Sequence, residues 1–277
     1  MGLRISTNVA SQQVQKNLRQ VSTKSDDSLA KLSSGKRITK AADDAAGLAI
    51  ATNLEAQTKG LRQATRNAND GISLVQTAEG GLNEVSNILV RMRELTIQAS
   101  SDTVGEAERG FLDKEYQQLV TEIDRISEAT TFNGSKLLNG EGSGTLDFQV
   151  GAFSGEQNRI SFDSSETNAS SSSIGVSGSG IADKGSALDS IAVIDEAINT
   201  VSGQRATLGS VQSRLGSTVS NLEVQTINQD SARSVIQDVD VAAESAKLAA
   251  NQVVKQAGIT TLSQANALPN TALRLIG

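Results

Sequence analysis

The sequence predicts a mainly α fold, a long antiparallel helical bundle with coiled-coil seams and a small β-hairpin region at its far end. Three observations lead there. From Ile50 to Ala99 one heptad register runs without a slip, through Leu54, Leu61, Ala68, Val75, Leu82, Leu89 and Met92. A second helical run, with Leu188, Ile194, Val201, Leu208, Leu215 and Leu222, lies far along the chain and supplies a partner for that stripe. Between the two, the pattern changes to strict alternation. At about 1.5 Å per residue the first run makes a helix roughly 80 Å long, which suits a rod better than a compact core.

Each element follows from its residues. A first helix is expected from about Asn8 to Ser33, with Val14, Leu18, Val21, Ser25, Ser28 and Leu32 in heptad spacing and Gly35 as its stop. Lys36 to Ala42 connects it to the long helix, which Asp43 or Asp44 can cap. Ser101-Asp102 to Gly105 breaks that helix, and Glu106 to Ala129 forms a third. Past Phe132-Asn133-Gly134, Leu146, Phe148 and Val150 alternate with polar residues, as do Ile160 and Phe162, which reads as a short hairpin. Ser164 to Gly185 is dominated by Ser and Gly and is expected to be a surface loop or disordered. The helical pattern resumes from Leu188 to about Ile236, and a last amphipathic stretch uses Leu248, Val254, Ala257, Leu268, Ala272 and Leu275.

Folding back at the hairpin returns the last helix to the first. The expected parts are an N-terminal helix and connector (1–43), a helical bundle (44–235) holding the hairpin and Ser/Gly loop at about 141–187, and a C-terminal helix (236–277) packed on the N-terminal one. The seam is rich in Ala, Gly, Ser, Thr and Gln. Each buried Ala contributes less than a Leu by roughly 2 kcal/mol, and interior glycines such as Gly60, Gly71, Gly80 and Gly81 each cost about 1 kcal/mol. Terminal helices this polar are marginal alone and gain stability if copies of the chain cover one another.

Composition excludes most chemistry. With no His, Cys or Trp, imidazole or thiolate metal sites and His- or Cys-based nucleophilic catalysis are impossible. Aromatics are 2% of residues, so stacking platforms for bases or cofactors are almost absent. The carboxylates spread along helix faces as solvated groups, and paired Asp43-Asp44 reads as a helix start rather than a cation site. No apolar run approaches a membrane span, and the N-terminus lacks the apolar core of a secretory signal. No enzyme activity, cofactor, nucleic acid or membrane insertion is expected.

Charge is distributed unevenly. Residues 1–25 and 245–277 contain no acid but carry Arg4, Lys16, Arg19, Lys24, Lys247, Lys255 and Arg274. All 31 acids lie between Asp26 and Glu244 with 18 of the 25 basic residues, a net −13 against −6 for the whole chain. The two ends share a chemistry the middle lacks, as expected if they meet in a common environment.

Several runs are recognisable. SSGKRITKAADDAAGLAIATNL (33–54), RNANDGISLVQTAEGGLNEVSNILVRMRELTIQAS (66–100) and EIDRISEATTFNGSKLLNG (122–140) resemble the N-terminal half of bacterial flagellins. LGSVQSRLGSTVSNL (208–222), IQDVDVAAESAKLAANQVVKQAG (236–258) and SQANALPNTALRLI (263–276) resemble the C-terminal half. The likeness covers nearly all of the chain except about 141–187, where many flagellins carry outer domains.

The resemblance implies a filament subunit, exported unfolded by the flagellar type III apparatus and secreted to the extracellular filament. Its partners would be further copies of itself, an export chaperone, and cap and hook-junction proteins. Val14, Leu18, Val21 and Leu32 of the first helix and Val254, Ala257, Leu268 and Leu275 of the last are the candidate assembly residues. It also implies recognition by Toll-like receptor 5 through positions matching Leu89, Arg91, Leu95, Glu115 and Leu215, with Val90 where Gln is common in the family. Surface O-glycosylation of Ser164 to Ser179, which some flagellins carry, stands beside an undecorated loop. Two rival readings stay open: a hook–filament junction adaptor, which shares such ends, and a cytoplasmic coiled-coil scaffold, which calls for Leu-rich seams and no matching basic ends.

Overall fold

The computed structural model describes residues 7–140 and 144–276, with side chains described through Ala267. In chain order it contains α1 (Val9–Ser34), α2 (Ala45–Ser100), α3 (Glu106–Ala129), β1 (Thr131–Phe132), β2 (Ser135–Lys136), β3 (Thr145–Gln149), β4 (Arg159–Asp163), α4 (Lys184–Gln237) and α5 (Val241–Ile276).

Polar side chains set the helix ends. Asn8 Oδ1 accepts from Ser11 N at 3.0 Å to open α1, and Gly35 closes it with φ 69°. Of the two expected caps for α2, Asp44 does the work, accepting from Gly47 N at 2.8 Å. Asp43 instead folds the connector, accepting from Thr39 N, Thr39 Oγ1 and Lys40 N. The backbone N–H of Thr39, followed by that of Lys40, holds its carboxyl below the usual range. Arg109 on α3 donates to the Ala99 and Ser101 carbonyls at 2.8 and 2.9 Å and closes α2. Asp183 caps α4 through Gly185 N and Ser186 N, which starts this helix four residues before Leu188. Asp240 caps α5 through Ala242 N and Ala243 N.

The chain divides into two units, one of Met1–Ala56 with Asn228–Gly277, the other of Gln57–Ile227. In the second unit α2 and α4 run antiparallel. Arg93 meets Asp195 at 2.6 Å, and Gly71 lies against Leu215. The heptad seam is the core: Val75, Ala78, Leu82, Val85, Leu89 and Met92 are buried with Ile194, Val201, Leu208 and Leu215 of α4 and Tyr116 and Ile123 of α3. β3 pairs antiparallel with β4, Leu146 opposite Phe162 and Phe148 opposite Ile160, as the alternation requires. Asn133 and Gly134, both at positive φ, form the turn of a second two-stranded pair, β1–β2.

Of the two expectations for the Ser/Gly stretch, surface loop or disorder, the structure shows an ordered loop that is partly packed. Ile174, Val176 and Ile181 are buried, and so are Ser164, Thr167 and Ser171. Acceptors on α3 hold it, with Asp124 taking hydrogen bonds from Ser171 N and Oγ, both at 2.8 Å, and Asp113 taking one from Ile181 N at 2.8 Å. Three apolar anchors and carboxylates distant in sequence give this loop the order that its Ser/Gly composition does not.

In the first unit α1 pairs antiparallel with α5. Asn8 Nδ2 donates to Ala265 O at 2.8 Å near one end, and Ser28 meets Glu244 near the other. The connectors on either side are joined as well. Arg37 N donates to Gln237 O at 2.7 Å, Val239 N to Gly35 O at 3.1 Å, and the Arg37 guanidinium to Ile236 O at 2.6 Å.

Candidate functional site

The α1–α5 pair is built unlike the core of the other unit. All the fully buried residues of α1 are serines, namely Ser11, Ser25 and Ser28. Val14, Leu18, Val21 and Leu32, four of the expected assembly residues, are half-buried. Leu18 packs at the place where Gly258, lacking a Cβ, lets α5 come close. Ser11 Oγ bonds Asn266 Oδ1 at 2.7 Å, and Ser28 Oγ donates to the buried Glu244 Oε1 at 2.7 Å. Small polar contacts thus sit among half-buried apolar ones, and no large apolar side chain of α1 is completely removed from water.

The outer faces of the pair carry apolar side chains as well. Val253 is 69% exposed and Val254 52%, with Ala257, Val9, Leu29, Val241 and Ile259 also exposed. Val254 and Ala257 were expected from the apolar stripe. Leu268 and Leu275 lie outside the described side chains. Ser11, Ser28, Glu244 and Val253 were not singled out as assembly residues. Ser11 continues the seven-residue spacing of Ser25 and Leu32, and Glu244 is the last acid before the acid-free end, so both left a trace in the sequence.

The receptor-type positions separate into two groups. Leu89, Leu95 and Leu215 are fully buried in the core of the second unit. Arg91 and Glu115 are exposed and joined at 2.9 Å, tying α2 to α3, with Glu94 on the same guanidinium at 3.1 Å.

No group of three or more His, Cys, Asp or Glu among the described residues could hold a metal ion, and among them no helix is long and apolar enough to cross a membrane.

The bacterial flagellin N-terminal helical region matches residues 5–143, and the bacterial flagellin C-terminal helical region matches 191–276. The chain belongs to the bacterial flagellin family. The flagellin of Halalkalibacterium halodurans is 43% identical over 246 residues, 89% of each chain. That of Bacillus subtilis is 38% identical over 303 aligned positions, covering 99% of this flagellin and 100% of its relative. The crystal structure of Bacillus cereus flagellin superposes with a TM-score of 0.51 at 31% identity, covering 57% of this chain and 88% of that one. The two family matches fall on either side of the hairpin and Ser/Gly stretch, the part the sequence marked as least flagellin-like.

Proposed function

We propose that this flagellin is the structural subunit that polymerises into the bacterial flagellar filament, with α1 and α5 as the polymerising element. The observation that carries this reading is the apolar surface left exposed on the outside of the pair. Its inner face buries serines and only half-buries Val14, Leu18, Val21 and Leu32, while Val9, Val253, Val254, Leu29 and Ile259 face outward. Exposed apolar surface on helices this long calls for cover, and further copies of the same chain supply it in a repeating array.

The subunit works in the extracellular filament. It reaches that location unfolded through the flagellar type III apparatus, and a marginal terminal pair suits such a route because little free energy opposes its opening. An export chaperone would hold the apolar outer face of α5 before secretion, and cap and hook-junction proteins would meet the same terminal helices at the filament's ends. Recognition by Toll-like receptor 5 would rest on the accessible Arg91–Glu115 pair, with Leu89, Leu95 and Leu215 supporting it from the core beneath.

Seeded assembly tests the reading. Purified chain is mixed with filament fragments and viewed by electron microscopy, beside a chain lacking residues 1–35 and 245–277. Long filaments from the full chain and none from the truncated one are expected. A full chain that stays monomeric or dimeric under every seeding condition contradicts the reading and favours a junction adaptor.

A further inference from the structure

We infer that the groove between α1 and α5 receives a carboxylate side chain from a second copy of this chain. The inference rests on the polymer reading above and adds a specific electrostatic contact to it. The groove encloses about 380 Å³ and is lined by Lys24, Asp27, Ser28 and Lys31 of α1 and by Glu244 and Lys247 of α5, among others.

Both of its acids are already engaged. Glu244 accepts from Ser28 Oγ at 2.7 Å and lies 3.1 Å from Lys247 Nζ, while Asp27 lies 3.4 Å from Lys40 Nζ. Lys24 and Lys31 make no close ion pair among the described residues, and Lys31 reaches the carboxylates of Glu244 and Asp43 only at longer range. The groove therefore holds more ammonium groups than carboxylates to receive them. Residues 1–25 and 245–277 contain no Asp or Glu, so no side chain there can supply the missing partner. The middle, with its net −13, can. Exposed acids of the second unit, Asp70, Glu84, Glu128 and Glu223, likewise have no ion-pair partner among the described residues. Amines and carboxylates without a close ion-pair partner on the same chain meet when copies pack side by side, and complementary charge then fixes register and steers docking.

Carbodiimide coupling tests this on filaments assembled from an equal mixture of ordinary and ¹⁵N-labelled chain. The reagent activates a carboxylate, a touching lysine amine displaces it to form an amide, and the carbodiimide leaves as its urea. Mixed-label peptides joining Lys24 or Lys31 to an acid of the middle are expected in filaments and not in monomer. Filaments that yield only same-label links at these lysines overturn the inference and leave the polymer reading standing. Failure to form filaments overturns both. As a second measurement, the double variant Lys24→Gln, Lys31→Gln, checked for unchanged helix content, is expected to elongate from seeds about tenfold more slowly at low salt. It should match the parent at about 1 M salt, where the screening length is about 3 Å. A variant with the parent's salt dependence overturns the inference.

Discussion

Ser28 and Glu244, 216 positions apart in sequence, form a buried hydrogen bond of 2.7 Å that joins α1 to α5. The Ser28 hydroxyl, with Lys247 beside it, holds the Glu244 carboxyl below the usual glutamate range despite its burial. A carboxyl whose pKa is lower in the folded state stabilises that state at higher pH, and the contribution is lost as pH falls through the folded value. The helix pair is therefore expected to loosen on acidification below about pH 4.3, read as faster amide exchange along α1. Glu244→Gln, which keeps an acceptor but cannot titrate, should remove its part of that acid step. Ser28→Ala should weaken the pair by about 1.5–3 kcal/mol at neutral pH. An acid profile unchanged by Glu244→Gln would count against this role.

Adjacent glycines of α2 should respond oppositely to alanine. A Cβ at Gly81 would lie 2.7 Å from both Leu138 Cδ1 and Thr130 Oγ1, and Leu138 is fully buried and cannot retreat. Gly81→Ala should cost about 1–3 kcal/mol through overpacking. A Cβ at Gly80 meets nothing within 4 Å, so Gly80→Ala should stabilise by up to about 1 kcal/mol through helix propensity. Urea unfolding followed by circular dichroism separates the two. Equal effects would show that Leu138 and Thr130 give way around Gly81.

Leu89 and Arg91 are two residues apart but differ in what they support. Leu89 is fully buried, so Leu89→Ala should destabilise the second unit by about 2–5 kcal/mol. Arg91→Ala removes an exposed guanidinium bonded to Glu115 and Glu94 and should leave the unfolding midpoint nearly unchanged. A receptor-binding defect in Leu89→Ala must therefore be read beside its melting curve, whereas a defect in Arg91→Ala reports the surface directly. A midpoint shift for Arg91→Ala as large as that for Leu89→Ala would refute the distinction.

The Ser/Gly segment should come loose when its acceptor is removed. Asp124→Ala leaves the Ser171 N–H without the carboxylate it donates to, at a cost of about 1–3 kcal/mol. New protease cleavage between 165 and 180 is expected, with helix content unchanged. Resistance equal to the parent's would mean that Ile174, Val176 and Ile181 suffice to hold the segment.

The long seam was legible because its cause is local and periodic. Residues from Leu61 to Ala99 that keep the register are buried, whereas Ile50, where the register starts, is 53% exposed. Gly35 and the hairpin of β3 and β4 were legible for the same reason, since a turn residue or an alternation speaks for its own segment. Asn133-Gly134 carries a two-residue hairpin signal of its own, and the β1–β2 pair follows it. The order in Ser164–Gly185 was hidden because Asp113 and Asp124, which hold it, lie 68 and 47 residues away from their partners. The terminal pair was half legible. Spacing placed Ser25 and Ser28 on the inner face, but which valines of α5 turn outward depends on how α1 lies along it.

Amide hydrogen exchange on monomer and on filament tests most directly whether α1 and α5 are completed by other copies. Amides of Val9–Ser34 and of α5 should exchange quickly in the monomer and slow by about 100-fold or more in the filament, while those around Leu82 and Leu208 change little. Equal protection of α1 and α5 in both states, or new protection confined to 57–227, would contradict the account.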